Sequence, residues 1–276
     1  MTTMTPAATS DPPQKSAHRP VTRTAPPAPI PFSRVVAVEA RKSFDTRSGF
    51  WLLASIGITA LLATGAVLLW APREELTYDT FAGAIGFPMA VILPMVAVLA
   101  VTSEWSQRSG LTTFTLVPHR GRVIAAKAVV AVAVGVGSML VAMVIGAIGN
   151  VVGSAIAGVD TVWDDGPRTL AFIVLGNVLG LLIGFMLGVV IRNSAGAIVG
   201  YFVYGFVLPT LAMLLANGQA WFHDLQPWVD FNFAQGQLFN GTMTGEQWGQ
   251  LGTSGLIWLV APLAVGLTML MRSEVK

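Results

Sequence analysis

The side chains best suited to chemistry at another protein's surface are gathered in one stretch. It runs from Glu104-Trp105-Ser106-Gln107-Arg108 through Thr113, Phe114 and Pro118 to Arg120. Glu104 and Arg108 are four residues apart, so they can pair across one helical turn or each meet an opposite charge on a partner. Leu111, Phe114, Leu116 and Val117 give the stretch a short apolar side, and Glu104, Gln107 and Arg108 a polar one. An amphipathic piece of this kind has the shape of something that docks in a groove. Its chemistry is recognition, with no bond made or broken.

Bond-making chemistry finds little support elsewhere. The chain has no cysteine and only three scattered histidines, which leaves neither disulfides nor thiolate metal sites and no HExxH pair. Each lysine follows Gln14, Arg41, Ala126 or Val275, so the Gly-Lys dipeptide of a phosphate-cradling loop does not occur. No Asp-rich motif, His pair or Ser/Lys dyad sits at one membrane depth, as a membrane-embedded enzyme of lipid or envelope metabolism would require. No nucleic-acid partner is indicated.

The elements that hold the docking stretch are membrane spans. With 54% hydrophobic and 11% charged residues the chain falls outside the range of a soluble domain. Six apolar stretches predict spans at about Phe50–Trp70, Phe81–Val101, Val123–Val152, Leu170–Ile191, Ala195–Leu215 and Leu251–Met271, since roughly 20 apolar residues cross the hydrocarbon as a helix. The expected class is an all-α polytopic membrane protein. Placing the N-terminus inside leaves fourteen lysines and arginines on inner segments and only Arg73 and Arg168 outside. Both termini are therefore expected in the cytoplasm, with the protein multi-pass in the cell membrane.

Residues 1–31 carry eight of the sixteen prolines and no apolar periodicity, and predict a disordered cytoplasmic tail. No apolar signal-peptide core precedes Phe50, so the tail is expected to stay in the mature protein. Residues 32–49 predict an amphipathic elbow helix lying in the headgroup region. Val36, Ala37, Ala40 and Phe44 form its apolar stripe, continued by Trp51, with Arg34, Arg41, Lys42 and Asp45 largely elsewhere on the wheel. The six-span membrane domain is expected over 50–271, with the docking loop at 103–122 and an aromatic outer loop at 217–250, followed by a short cytoplasmic end at 272–276.

Within the spans, Gly176, Gly180, Gly184 and Gly188 recur every fourth residue and predict a smooth ridge for close helix packing. Asn177 beside it is expected to hydrogen-bond to another helix. Pro88 and Pro94 in the second span free backbone groups and predict a bend that can line a path or act as a hinge. Lys127, four residues into the third span, is expected to snorkel to the interface and to need no further role. No carboxylate falls inside a predicted span, which counts against ion-coupled carriage. The outer loop has no lysine or arginine but seven aromatics from Trp221 to Trp248, fitting an interfacial belt.

Here the chain resembles a known family. The amphipathic elbow, six spans and long outer loop, with a loop of the form E-W-x-x-R-x-x-x-T-x-x-L-x-P-x-R-x-x-x-x-A-K, are similar to the ABC-2 type permeases. Glu104, Trp105, Arg108, Thr113, Leu116, Pro118, Arg120, Ala126 and Lys127 match that pattern. The resemblance covers residues 33–271. It implies a type V exporter-like permease fold, a pathway subunit of an ATP-driven exporter, and short re-entrant helices in the 217–250 loop that cap the outer end, as the alternative to an interfacial belt. On the same resemblance, Glu104, Trp105, Gln107, Arg108, Thr113, Phe114, Pro118 and Arg120 form a coupling helix on the ATPase, with Arg41, Lys42 and Phe44 of the elbow assisting. It further implies two copies of an ATP-binding subunit and a second or related permease chain. Cofactors in this chain are expected to be none, with ATP and Mg held by the partner. The competing reading is a secondary transporter or uniporter that works without a buried carboxylate.

Overall fold

In the computed structural model the described residues are 30–45, 47–106 and 120–272. The tail and the loop body from Gln107 to His119 lie outside them. Among the described residues, six helices are long and apolar enough to cross a bilayer, and the only sheet-like pairing is a single bridge between Thr77 and Val162.

The elbow is helix α1, Phe32–Asp45, and the first span is α2, Arg47–Trp70. Trp51 thus belongs to the span. A 3₁₀ turn at Arg73–Glu75 leads to the second span, α3, Tyr78–Ser106. The third, α4, runs Arg120–Ala157. Its 38 residues reach about 57 Å, well beyond the roughly 30 Å of hydrocarbon, so one end must stand clear of the bilayer core. The fourth span, α5, is Pro167–Ile191.

The fifth span joins α6, Ser194–Phe202, through a π turn at Val203–Val207 to α7, Leu208–Gly218. Two short helices follow, α8, Ala220–Val229, and α9, Phe231–Gly236, then a 3₁₀ turn at Gln237–Asn240. The sixth span joins α10, Gly245–Gly255, through a π turn at Leu256–Val260 to α11, Ala261–Arg272.

All six helices start before the apolar runs do, and at three of them a capping signal marks the start. Pro167 occupies the first turn of α5, where its missing N–H costs nothing. The Asn193 side chain accepts from Gly196 N–H at 2.8 Å to open α6. Thr244 and Gln247 form a reciprocal capping box at α10. One consequence is that Asp79, outside the predicted span, stands in the first turn of α3.

Helices α3 and α5 form the centre of the bundle, with α4 beside both. Met89, Leu93, Leu181 and Phe185 are buried between them. The glycine ridge of α5 divides its length between two neighbours. A Cβ at Gly184 would lie 2.5 Å from the Pro94 carbonyl oxygen, and one at Gly188 would lie 3.2 Å from Val101 Cβ, so this half of the ridge is pressed on α3. A Cβ at Gly176 would meet the Phe239 ring at 2.8 Å, and one at Gly180 would meet Gln235 Nε2 at 3.4 Å. That half receives the segment between the fifth and sixth spans.

Candidate coupling site and the cap at the opposite end

The end of the bundle where α3 finishes and α4 begins carries most of the basic residues; the other end is acidic. At the basic end α1 rests on α4, with Val35 buried against Val123 and Ala126. One turn on, Glu39 is only 5% exposed, as is Lys127 of α4. The Lys127 ammonium donates to Glu39 Oε2 at 2.7 Å and to the Ala100 carbonyl of α3 at 3.2 Å. Lys42 donates to Glu39 Oε1 at 2.7 Å. Burial by itself raises the Glu39 carboxyl, but the charge and hydrogen bond of Lys127, joined by those of Lys42, outweigh it and hold the group below the ordinary glutamate value.

One expectation is corrected here. Lys127 does not snorkel free of any role; it is buried in an ion pair. The elbow face turned to the bundle is a separate one from the stripe expected to meet lipid. It centres on Val35 and Glu39, with Val36 partly buried, while Ala37 is exposed and Phe44 is 57% exposed. The signal that could have found this pairing is Lys127 itself. A lysine one turn inside an apolar helix asks for a carboxylate, and Glu39 is the acid that the neighbouring elbow supplies.

The residues predicted to couple are placed only in part. Glu104 and Trp105 belong to the last turn of α3 and Arg120 opens α4, but their side chains lie outside the described residues, as do Gln107, Arg108, Thr113, Phe114 and Pro118 entirely. Arg41 is exposed, and Lys42 keeps 44% of its side chain open while holding Glu39. A second link braces this end: the Thr102 and Ser194 hydroxyls of α3 and α6 lie 2.7 Å apart, and Thr102 also donates to the Val98 carbonyl at 2.8 Å.

Two of the prolines in the spans, Pro94 and Pro209, are stitched rather than left open. Pro94 has no N–H for the Ala90 carbonyl four residues back, and the Tyr201 hydroxyl of α6 donates to that oxygen at 2.7 Å. The same logic recurs in the fifth span. Leu208 N–H donates five residues back to Val203 in the π turn, and the next donor in that register is Pro209, which has none. The orphaned Tyr204 carbonyl instead accepts from Asn232 Nδ2 of α9 at 3.1 Å. Asn177 does not make the expected interhelical bond. Its amide donates to Ile173 in its own helix at 2.9 Å, and its Oδ1 is buried without a hydrogen-bond partner.

The aromatic loop folds back onto the bundle as a cap at the acidic end. Phe231 and Leu238 are buried among Ile183, Tyr201 and Leu251. Gln235 Nε2 donates to the Gly176 carbonyl at 2.7 Å, and the Trp258 indole donates to Val229 at 2.7 Å. Gly241 turns the chain at φ +72°, where a Cβ would also lie 2.6 Å from Thr169 Oγ1. Trp221 stays 61% exposed, so part of the loop does remain at the surface.

Beside the cap, a groove of about 240 Å³ runs between α3 and α5, lined by Gly83, Gly86, Phe87, Ile173 and Phe239 with Asp79 at its end. Asp79 N–H donates to Asp164 Oδ1 at 2.9 Å. Burial and the neighbouring Asp79 and Asp164 carboxylates push Asp165 above the usual range. Burial also raises Asp164, but bonds from the Thr77 hydroxyl and the Asp79 N–H bring it below normal.

These helices, capped at one end and braced by an ion pair at the other, define a multi-pass, all-helical membrane protein whose core is built on glycine and proline contacts. The family described as ABC-2 family transporter protein matches residues 8–275, nearly the whole chain. The chain belongs to that family, and is thus a permease component of ABC transporters. No curated protein matches the chain. Permeases of this family associate with an ABC ATP-binding subunit.

Proposed function

We propose that the chain is the membrane-spanning permease subunit of an ATP-binding-cassette exporter, working with a second or related permease copy and driven by two copies of a separate ATPase chain. The family match over residues 8–275 carries this reading. The sequence supports the division of labour, since it holds no Gly-Lys dipeptide with which to cradle a nucleotide phosphate. In this reading the basic end faces the cytoplasm of the cell, with both chain termini. The loop from Glu104 to Arg120 docks on the ATPase, with Arg41, Lys42 and Phe44 of the elbow nearby, and the cap closes the outer end of the pathway. Pro88 and Pro94 lie along that pathway. Nucleotide-driven closure of the ATPases pushes on the stems of the loop, and the bundle passes the push to the cap. The chain itself catalyses nothing, and ATP and Mg belong to the partner.

The test is affinity purification of the full chain from its native membrane in gentle detergent, with co-purifying proteins quantified by mass spectrometry. The expected result is a near-equimolar ATP-binding-cassette chain that is released when Arg108 and Arg120 are replaced by alanine. Recovery of an intact, abundant chain alone, under conditions that preserve other such complexes, would refute the proposal and leave a secondary carrier as the reading to test with ion gradients.

A further inference from the structure

We infer that Glu39 is a positioning residue: by holding Lys127, Lys42 and, through Lys127, the Ala100 carbonyl, it makes the elbow and both stems of the coupling loop one transmitting body. The inference rests on the permease reading for what is transmitted, but its geometry stands on its own. The loop has two stems, the end of α3 and the start of α4. Lys127 lies two turns into α4 from Arg120, and Ala100 lies in the last two turns of α3. One ammonium therefore ties both stems at similar depth, and one carboxylate ties that ammonium to α1.

Apolar packing alone would not fix this junction. The described contact of α1 with α4 is a small cluster of Val35, Val36, Val123 and Ala126, whose smooth side chains allow sliding. The carboxylate sets the register, because it must place one oxygen on each lysine at 2.7 Å. Loss of Glu39 would take from the buried Lys127 ammonium the carboxylate that it meets at 2.7 Å. Buried ion pairs often add little to net stability compared with apolar replacements, and a directional, register-setting role accounts for why one is placed at this junction. The elbow would then move with the stems when the partner pushes, and not trail behind them in the lipid.

The native chain has no cysteine, so labels can be introduced without background. Val38→Cys on α1 and Val129→Cys on α4 are both about half exposed and accept spin labels. Distances between them are measured in the full chain in lipid nanodiscs, alone and in complex with its ATPase. The paired variant Glu39→Leu with Lys127→Leu removes both charges together, so that neither is left buried without the other.

The expected result is one narrow distance in the parent that broadens or shifts in the paired variant. In the complex, a fluorophore at Trp221→Cys reports movement of the cap on trapping with ATP and vanadate. Its signal per trapped nucleotide is expected to fall about tenfold in the paired variant. A parent-like distance in the paired variant would overturn the inference, as would an unchanged cap signal per trapped nucleotide. A parent chain that recruits no ATPase would instead overturn the permease reading, and the distances in the chain alone would still decide whether Glu39 positions the elbow.

Discussion

Replacing Tyr201 by phenylalanine removes one hydroxyl and leaves the ring in its buried site, 7% exposed. What is lost is the donor to the Ala90 carbonyl at 2.7 Å. That oxygen has no helical substitute, because the residue four positions on is Pro94. An unpaired buried acceptor costs about 1–3 kcal/mol, whereas interhelical bonds measured in membranes average about 0.6 and reach about 1.7. The upper part of that membrane range applies here, since the proline denies the carbonyl its own helix, and the expected loss is about 1–1.5 kcal/mol. Pro94→Ala should return an N–H to residue 94 and keep the Cβ that rests on Gly184. In that background Tyr201→Phe should cost less than about 0.5 kcal/mol, giving a coupling near 1 kcal/mol in the double-mutant cycle. The assay is reversible unfolding of the four proteins in mixed micelles. If Tyr201→Phe costs the same with and without Pro94, the hydroxyl does not stand in for the missing N–H and the reasoning fails.

Gly184→Ala should destabilise by about 1–3 kcal/mol, because the new methyl meets backbone atoms of Pro94 that cannot yield. Gly137→Ala, with nothing within 4 Å of the added carbon, should be neutral or stabilising in the same unfolding assay. Equal effects at the two positions would mean that the close approach of α5 to α3 is not what the glycine serves. Acid should weaken the elbow's attachment. The Glu39 carboxyl lies below its ordinary value when folded, so its contribution is present above the ordinary glutamate pKa and is lost as pH falls from there through the folded pKa. The label distance between α1 and α4 should therefore broaden in that acid window in the parent and show no such step in the paired leucine variant. A parent distance indifferent to pH across the window would count against the ion pair as the attachment.

The six spans were legible because apolar length is a strong signal and the bilayer leaves helices as the only open solution. Their ends were less so. Helices α5 and α10 begin at capping signals in polar sequence, Gly166 with Pro167 and Thr244 with Gln247, which a hydropathy reading passes over. The elbow was legible as a helix, but the face that it turns to the bundle was not. A wheel that sorts residues into apolar and polar places Glu39 on the water side, whereas its buried position depends on Lys127, a residue 88 positions away. The aromatic loop left two readings open for a similar reason. Aromatic content cannot tell an interfacial belt from a re-entrant cap. What turns the loop inward is a pair of amides, Asn232 and Gln235, that reach backbone carbonyls of the fifth and fourth spans.

Those amides belong to a wider pattern in how the bundle tolerates proline. A proline in a spanning helix removes a donor where no water can replace it, so another element must supply one. At Pro94 the donor comes from the fifth span and at Pro209 from the cap. Each orphaned carbonyl thereby becomes a contact between elements that would otherwise meet only through apolar surfaces. The π turn of the sixth span raises the same requirement, since Ala261 bonds back to Leu256 and Pro262 follows without an N–H. Bending at these places breaks fewer backbone bonds than bending elsewhere in the helices. The second span is therefore linked to the cap by a short route: Pro94 to Tyr201 in the fifth span, and Tyr204, three residues on, to Asn232. That route is made of two hydrogen bonds, one answering Pro94 of α3 and the other Pro209 of the fifth span.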